Sequence, residues 1–222
     1  MDSVPIDQNR NQYIEVMGRP LGEVYYELWQ ELVWLYTKWG QYILLFDSAE
    51  RVALLNKSAP TFFYIFQKSF LEDITLHIAR MTDPAADKSG EKNLSFRQIC
   101  CLVDQEKIPN EELTKLMKDF DTKTEFVKKW RHKKIAHRDL KFALSPSTYK
   151  LQKFSNAEVL GALQAMAKVL NLISSKYLSS STLFDLAMDS IQGDASQLIH
   201  FLTLGIEFED QKRKLDYAKD GF

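Results

Sequence analysis

Glycine and proline are scarce in this chain, eight and six among 222 residues, and that scarcity excludes an architecture of many hairpins and tight turns. Helices are the expected element throughout. Cysteine is scarcer still: the only two, Cys100 and Cys101, are neighbours, which excludes a paired disulfide framework and offers no metal-ligand spacing. A reducing cytoplasm suits such a chain. No apolar run approaches the ~18 residues of a membrane span, and Met1–Glu15 lacks a basic start followed by an apolar stretch. Neither secretion nor membrane insertion is therefore expected. The formal net charge of -1 supplies no overall attraction to nucleic acid, so any contact with a phosphate backbone must come from a local patch.

What is present is an ordinary globular composition, 45% hydrophobic and 27% charged, on a chain long enough to bury a substantial core. Met1–Pro20 is polar and carries Pro5, Gly18 and Pro20; it reads as an N-terminal arm, either extended or a short helix. From Leu21 to about Phe46 the residues Tyr25, Trp29, Leu32, Val33, Tyr36, Trp39 and Ile43 recur at steps of three and four, one face of a helix. So heavy an aromatic stripe suits packing better than base stacking, because helical spacing is what burial requires. Ser58 and Pro60 open a second helix, with Phe63, Phe66, Phe70, Ile74, Ile78 and Met81 as its apolar stripe and Asp73, His77 and Arg80 beside it. That polar set reads either as support for a site or as a solvated seam. His77 has no second ligand four residues away, so the pattern holds no metal site.

After the polar connection that begins at Asp83, Ser95 and Gln98 have the spacing of a capping box for a short helix. Asn110 opens a longer helix carrying Leu113, Leu116, Phe120, Phe126, Val127 and Trp130 on one side. Ser155 or Asn156, with Glu158 in the first turn, starts another whose apolar face runs from Val159 to Tyr177. The tail reads as an amphipathic segment from Leu183 to Ile191, a break at Gly193-Asp194, and a last helix from Ala195 to about Phe208. The sum is an all-α antiparallel bundle of about six or seven helices, with an arm over 1–20, the bundle over 21–178 and a helical extension over 179–222.

Charge is concentrated in one place. Six of the eleven residues from Lys128 to Arg138 are Lys or Arg, and His132 and His137 lie among them. An arginine holds phosphate with a fork of donors, and a histidine exchanges a proton near neutral pH. Cations late in a helix also complement its dipole and form a solvated face, and composition leaves both readings open. On one continuous helix, Arg131 and His137 stand about 9 Å apart along the axis and roughly 120° around it. They do not meet unaided. Convergence on one phosphate calls for the long arginine arm, a helix break near Ala136–Asp139, or a second protomer bringing a matching segment close.

The segment RHKKIAHRD resembles the signature of the HEPN (higher eukaryotes and prokaryotes nucleotide-binding) superfamily: an arginine, usually followed by a polar residue, then a histidine after a short spacer late in a helix. Arg131, His132 and His137 match those positions. More narrowly, IARMTDP, then KNLSFRQI, then KIAHRD resemble the AbiU-type proteins of abortive infection, over roughly Ala59 to Tyr177. The resemblance implies an all-helical homodimer acting as a metal-independent endoribonuclease without a cofactor, the toxin of a defence or toxin-antitoxin system, with a cognate antitoxin as a further partner. It implies His137 as general base or acid, Arg131 as phosphate holder and His132 as an orienting group. Lys128, Lys133, Lys134 and Arg138 would follow the RNA backbone, with Asp73, His77, Arg80 and Asp139 in support. Two competing classes stay open: a catalytically silent helical module that binds RNA, a nucleotide or a partner protein, and an interaction protein in which the aromatic helix from Tyr25 to Trp39 mediates assembly and the basic block only solubilises.

Overall fold

In a computed structural model of the protein, the described residues are 6–131, 154–188 and 192–219. They form α1 (Ile6–Met17), α2 (Arg19–Phe46), α3 (Ala49–Ser58), α4 (Pro60–Met81), α5 (Phe96–Leu102), α6 (Asn110–Trp130), α7 (Asn156–Leu178) and α8 (Ala195–Lys219), with a 3-10 turn at Phe184–Met188. No strand occurs among the described residues; one isolated antiparallel bridge pairs Ala86 with Lys92. The all-α expectation is met, with eight helices among the described residues rather than six or seven.

One addition is α1, where the arm's two alternatives resolve as a helix. Gly18 ends it with φ +79°, a left-handed turn that favours glycine. Gly22 then lets α1 and α2 touch, because a Cβ there would stand 2.6 Å from the Tyr13 carbonyl oxygen. The other addition is α3. Ser48 caps it by accepting from the Arg51 N–H at 3.1 Å, and the Arg51 guanidinium turns back to the Leu44 carbonyl at 2.6 Å. Ser58, expected to cap the following helix, closes α3 instead: its hydroxyl donates to the Leu55 carbonyl at 3.0 Å. Pro60 does take the first position of α4, where its missing N–H leaves no bond unmade.

The chain forms two compact units, Met1–Tyr36 with Asp73–Ala187, and Thr37–Glu72 with Met188–Phe222. Neither is a consecutive stretch, because α2 and α4 contribute to both. In the first unit α7 is the central helix, packed on α6 and α1. Its capping box is complete: Ser155 accepts from the Glu158 N–H, and the Glu158 carboxylate accepts from the Ser155 N–H at 2.7 Å. Val159, Leu163, Met166, Leu170 and Ile173 are buried, the face that periodicity marked. Asn156–Leu178 is long and apolar enough to cross a bilayer, but 56% of its most apolar window is buried in the protein, as befits a core helix.

Packing also settles the role of the aromatic stripe on α2. Tyr25, Tyr36 and Trp39 are buried, so they are core residues and present no stacking surface to bases. Burial, the dominant influence, drives the Tyr25 phenol far above its ordinary pKa, with a Ser174 hydrogen bond pulling back. It lifts Tyr36 to about 12. The most buried line on α2 is shifted from the expected one, running through Leu28 and Leu35 as well as the expected Leu32, while Trp29, Val33 and Ile43 are half-buried.

In the second unit Leu45, Leu55, Phe63 and Ala195 form the core, with Phe66, Ile199 and Leu202 against it. Asp194 begins α8 by accepting from the Ser196 and Gln197 N–H groups at 2.9 and 3.3 Å. That helix outruns its expected end near Phe208 and reaches Lys219. Its second half is polar and carries no apolar period, and Lys57 on α3 pairs with Asp210 there at 2.6 Å.

Candidate functional site

The first unit holds a pocket of about 230 Å³ lined by Leu28 and Glu31 from α2, His77, Arg80 and Met81 from α4, and Asp83, Asn93 and Leu94 from the connection after α4. Helical spacing explains the first two groups. Leu28 and Glu31 stand three residues apart on α2, while His77, Arg80 and Met81 share one face of α4.

The connection from Asp83 to Leu94 is held by its own hydrogen bonds. The Asp87 carboxylate accepts from the Ser89 N–H at 2.8 Å, the Ser89 hydroxyl at 2.6 Å and the Glu91 N–H at 3.1 Å, and these donors keep its pKa below the ordinary carboxylate value. Asn93 donates from its amide to the Pro84 carbonyl at 2.9 Å, and its N–H donates to the Ala85 carbonyl at 2.9 Å. Ser95, buried, then caps α5 by accepting from the Gln98 N–H at 3.2 Å. A polar stretch of this kind is thereby fixed over the pocket.

Inside the pocket, His77 is 3% exposed and its Nε2 lies against Glu31 Oε2. Arg80 reaches the same oxygen at 3.6 Å from a more exposed position. Asp73, one turn earlier on α4, is exposed and does not line the pocket. Of Asp73, His77 and Arg80, expected with Asp139 to support a site, the last two therefore converge on one carboxylate, and Asp73 is not among the lining residues.

Arg131 joins this group from α6. It keeps right-handed helical backbone angles, φ -54° and ψ -50°, just past the last residue of the helix. Its Nη1 donates to Asp83 Oδ1 at 2.6 Å and to the Ala79 carbonyl at 3.4 Å. The ion pair is partly buried, the side chains being 37% and 28% exposed. Arginine has five N–H donors in a fixed fork, so a carboxylate on one nitrogen orients the group without exhausting it. Asp83 thus both lines the pocket and holds Arg131 beside it.

The neighbouring cations have partners of their own. Lys128 lies 3.5 Å from Asp121, which also pairs with Arg97 of α5, and Lys129 lies 2.8 Å from Glu125. Lys129 behaves as a solvated helix face does. His132, Lys133, Lys134, His137, Arg138 and Asp139 lie outside the described residues. Among the described residues no group of three His, Cys, Asp or Glu side chains could hold a metal ion.

Two site residues escaped the sequence reading. Glu31 gave a signal: it lies three residues after Leu28 and four before Leu35, on the line of apolar positions along α2. Asp83 registered only as the end of a helix, because nothing local says which cation it meets 48 residues later.

A family model described as AbiU2, of HEPN type, matches residues 19–198. The match reaches well beyond the Ala59–Tyr177 span over which motifs are visible, taking in all of α2. No curated protein and no solved structure matches the chain.

Proposed function

The chain belongs to the AbiU2 family of HEPN-type proteins, and from that premise we propose that it is a metal-independent endoribonuclease acting as the toxin of an abortive-infection or toxin-antitoxin system. RNA carries its own nucleophile. The enzyme removes the proton of a 2′-hydroxyl, the 2′-oxygen attacks the adjacent phosphorus, and the 5′-oxygen leaves as it takes up a proton. The products are a 2′,3′-cyclic phosphate and a 5′-hydroxyl. His137 moves a proton in this scheme, Arg131 holds the phosphate and its developing charge, and His132 orients a group or shares the proton work. Lys128, Lys133, Lys134 and Arg138 follow the strand.

The observation that best supports this reading is the Arg131–Asp83 pair. A guanidinium held by a carboxylate on one nitrogen is pre-oriented to receive phosphate on the others. In this reading the protein is a homodimer, whose two-fold axis would bring two copies of the Arg131–His137 segment to one groove. The protein then works in the cytoplasm, restrained by a cognate antitoxin.

Incubation of the purified protein with end-labelled RNA in excess chelator tests the reading. Discrete cuts are expected. Binding without cutting makes the chain a silent RNA-binding module, and the absence of both removes RNA from its function.

A further inference from the structure

We infer that the pocket beside Arg131 is a base-recognition pocket, and that the base it takes is guanine. The inference deepens the endoribonuclease reading, because the base would belong to the nucleotide whose phosphate Arg131 holds.

The pocket's dimensions and lining point this way. About 230 Å³ suits one nucleobase with room to enter, and is small for a peptide or a lipid chain. Leu28, Met81 and Leu94 supply apolar surface for the faces of a flat ring, while the polar lining sets the carboxylates of Glu31 and Asp83 beside the donors of Arg80 and His77. One oxygen of Glu31 faces His77 and Arg80, and one oxygen of Asp83 faces Arg131. Those contacts leave Oε1 of Glu31 and Oδ2 of Asp83 as the carboxylate atoms they do not use. Two such acceptors ask for a ligand with adjacent N–H donors. Guanine carries N1–H beside an exocyclic amine on one edge; adenine and cytosine follow their amine with an acceptor, and uracil offers a single N–H. A seated base covers these half-exposed carboxylates, and an acceptor then facing an acceptor leaves a polar group unpaired, which is the physical source of discrimination here.

Position connects the pocket to the chemistry. Asp83 both lines the pocket and holds Arg131 at 2.6 Å, so a base seated there and a phosphate on the guanidinium would have the same carboxylate as a neighbour.

The test is equilibrium binding of guanosine, adenosine, cytidine and uridine 5′-monophosphates to the full chain, wild type and two variants, in excess chelator. Leu94 is 41% exposed, so Leu94→Trp fills the pocket from its rim without disturbing the core. Glu31→Gln removes one acceptor at constant shape. Wild type is expected to prefer the guanosine nucleotide by at least about tenfold, and each variant to lose that preference while its helical circular dichroism is unchanged. Equal affinity for all four nucleotides, or a guanosine preference that survives both substitutions, overturns the inference. Binding is read apart from cutting, so a protein that prefers the guanosine nucleotide but leaves RNA intact keeps the pocket and loses the nuclease.

Discussion

Replacing His137 or Arg131 with alanine is expected to lower RNA cleavage at least a hundredfold, with the helical content of the protein unchanged. A positioned proton-transfer group contributes ~10²–10⁴ in rate, and a donor aimed at developing phosphorane charge contributes on a comparable scale. For Arg131 the structural loss is small. Its pair with Asp83 is more than a third exposed on the arginine side, and such pairs add about 1 kcal/mol or less to stability. Arg131→Lys keeps the charge and loses the fork, so it should recover little of the rate. Initial rates on one labelled RNA, with circular dichroism of each variant, check the expectation; a variant that cuts at the wild-type rate removes its residue from the chemistry.

The second large effect is on stability. Phe120 is fully buried on α6, with its ring 5.1 Å from that of Phe96 on α5. Phe120→Ala removes this contact and leaves a cavity, a change that costs about 3–5 kcal/mol. Phe120→Leu, which keeps most of the volume, should cost far less. Urea unfolding followed by helical circular dichroism reads both. The effect bears on function because α6 carries Arg131 at its end, and Arg97 of α5 shares Asp121 with Lys128. Loosening α5 from α6 therefore shifts the base on which the site is built.

Much of the fold was legible because burial writes a period into the chain. The faces of α4 and α7 were marked by Ile74, Ile78 and Met81 and by Val159 through Ile173, and the Ser155–Glu158 box announced where α7 begins. Two kinds of feature were not legible. Ser58 satisfies a cap rule and yet bonds backward to Leu55, since a hydroxyl beside a proline serves either neighbouring helix and only the packing chooses. The polar half of α8 has no apolar stripe, so its helicity past Phe208 had no periodic mark. The site divides the same way. Arg131, His77 and Arg80 could be named from residue type and spacing, whereas Glu31 and Asp83 act through partners dozens of residues away.

The family also extends the account beyond its motifs. Residues 19–198 match as a whole, and α2, which shows no signature of its own, supplies Leu28 and Glu31 to the pocket. Tyr25, Tyr36 and Trp39 hold the helix in the core, and Glu31, on its line of apolar positions, turns to the site.

The most direct measurement uses one RNA in two forms, identical except that the second lacks the 2′-hydroxyl at the nucleotide 5′ to the cut. With wild-type protein in excess chelator, the first form should be cut to a 2′,3′-cyclic phosphate and a 5′-hydroxyl, and the second should stay intact at that position. Cleavage of the deoxy form at the same rate, or products ending in a 3′-hydroxyl and a 5′-phosphate, would contradict attack by the RNA's own oxygen and with it the roles given to Arg131 and His137.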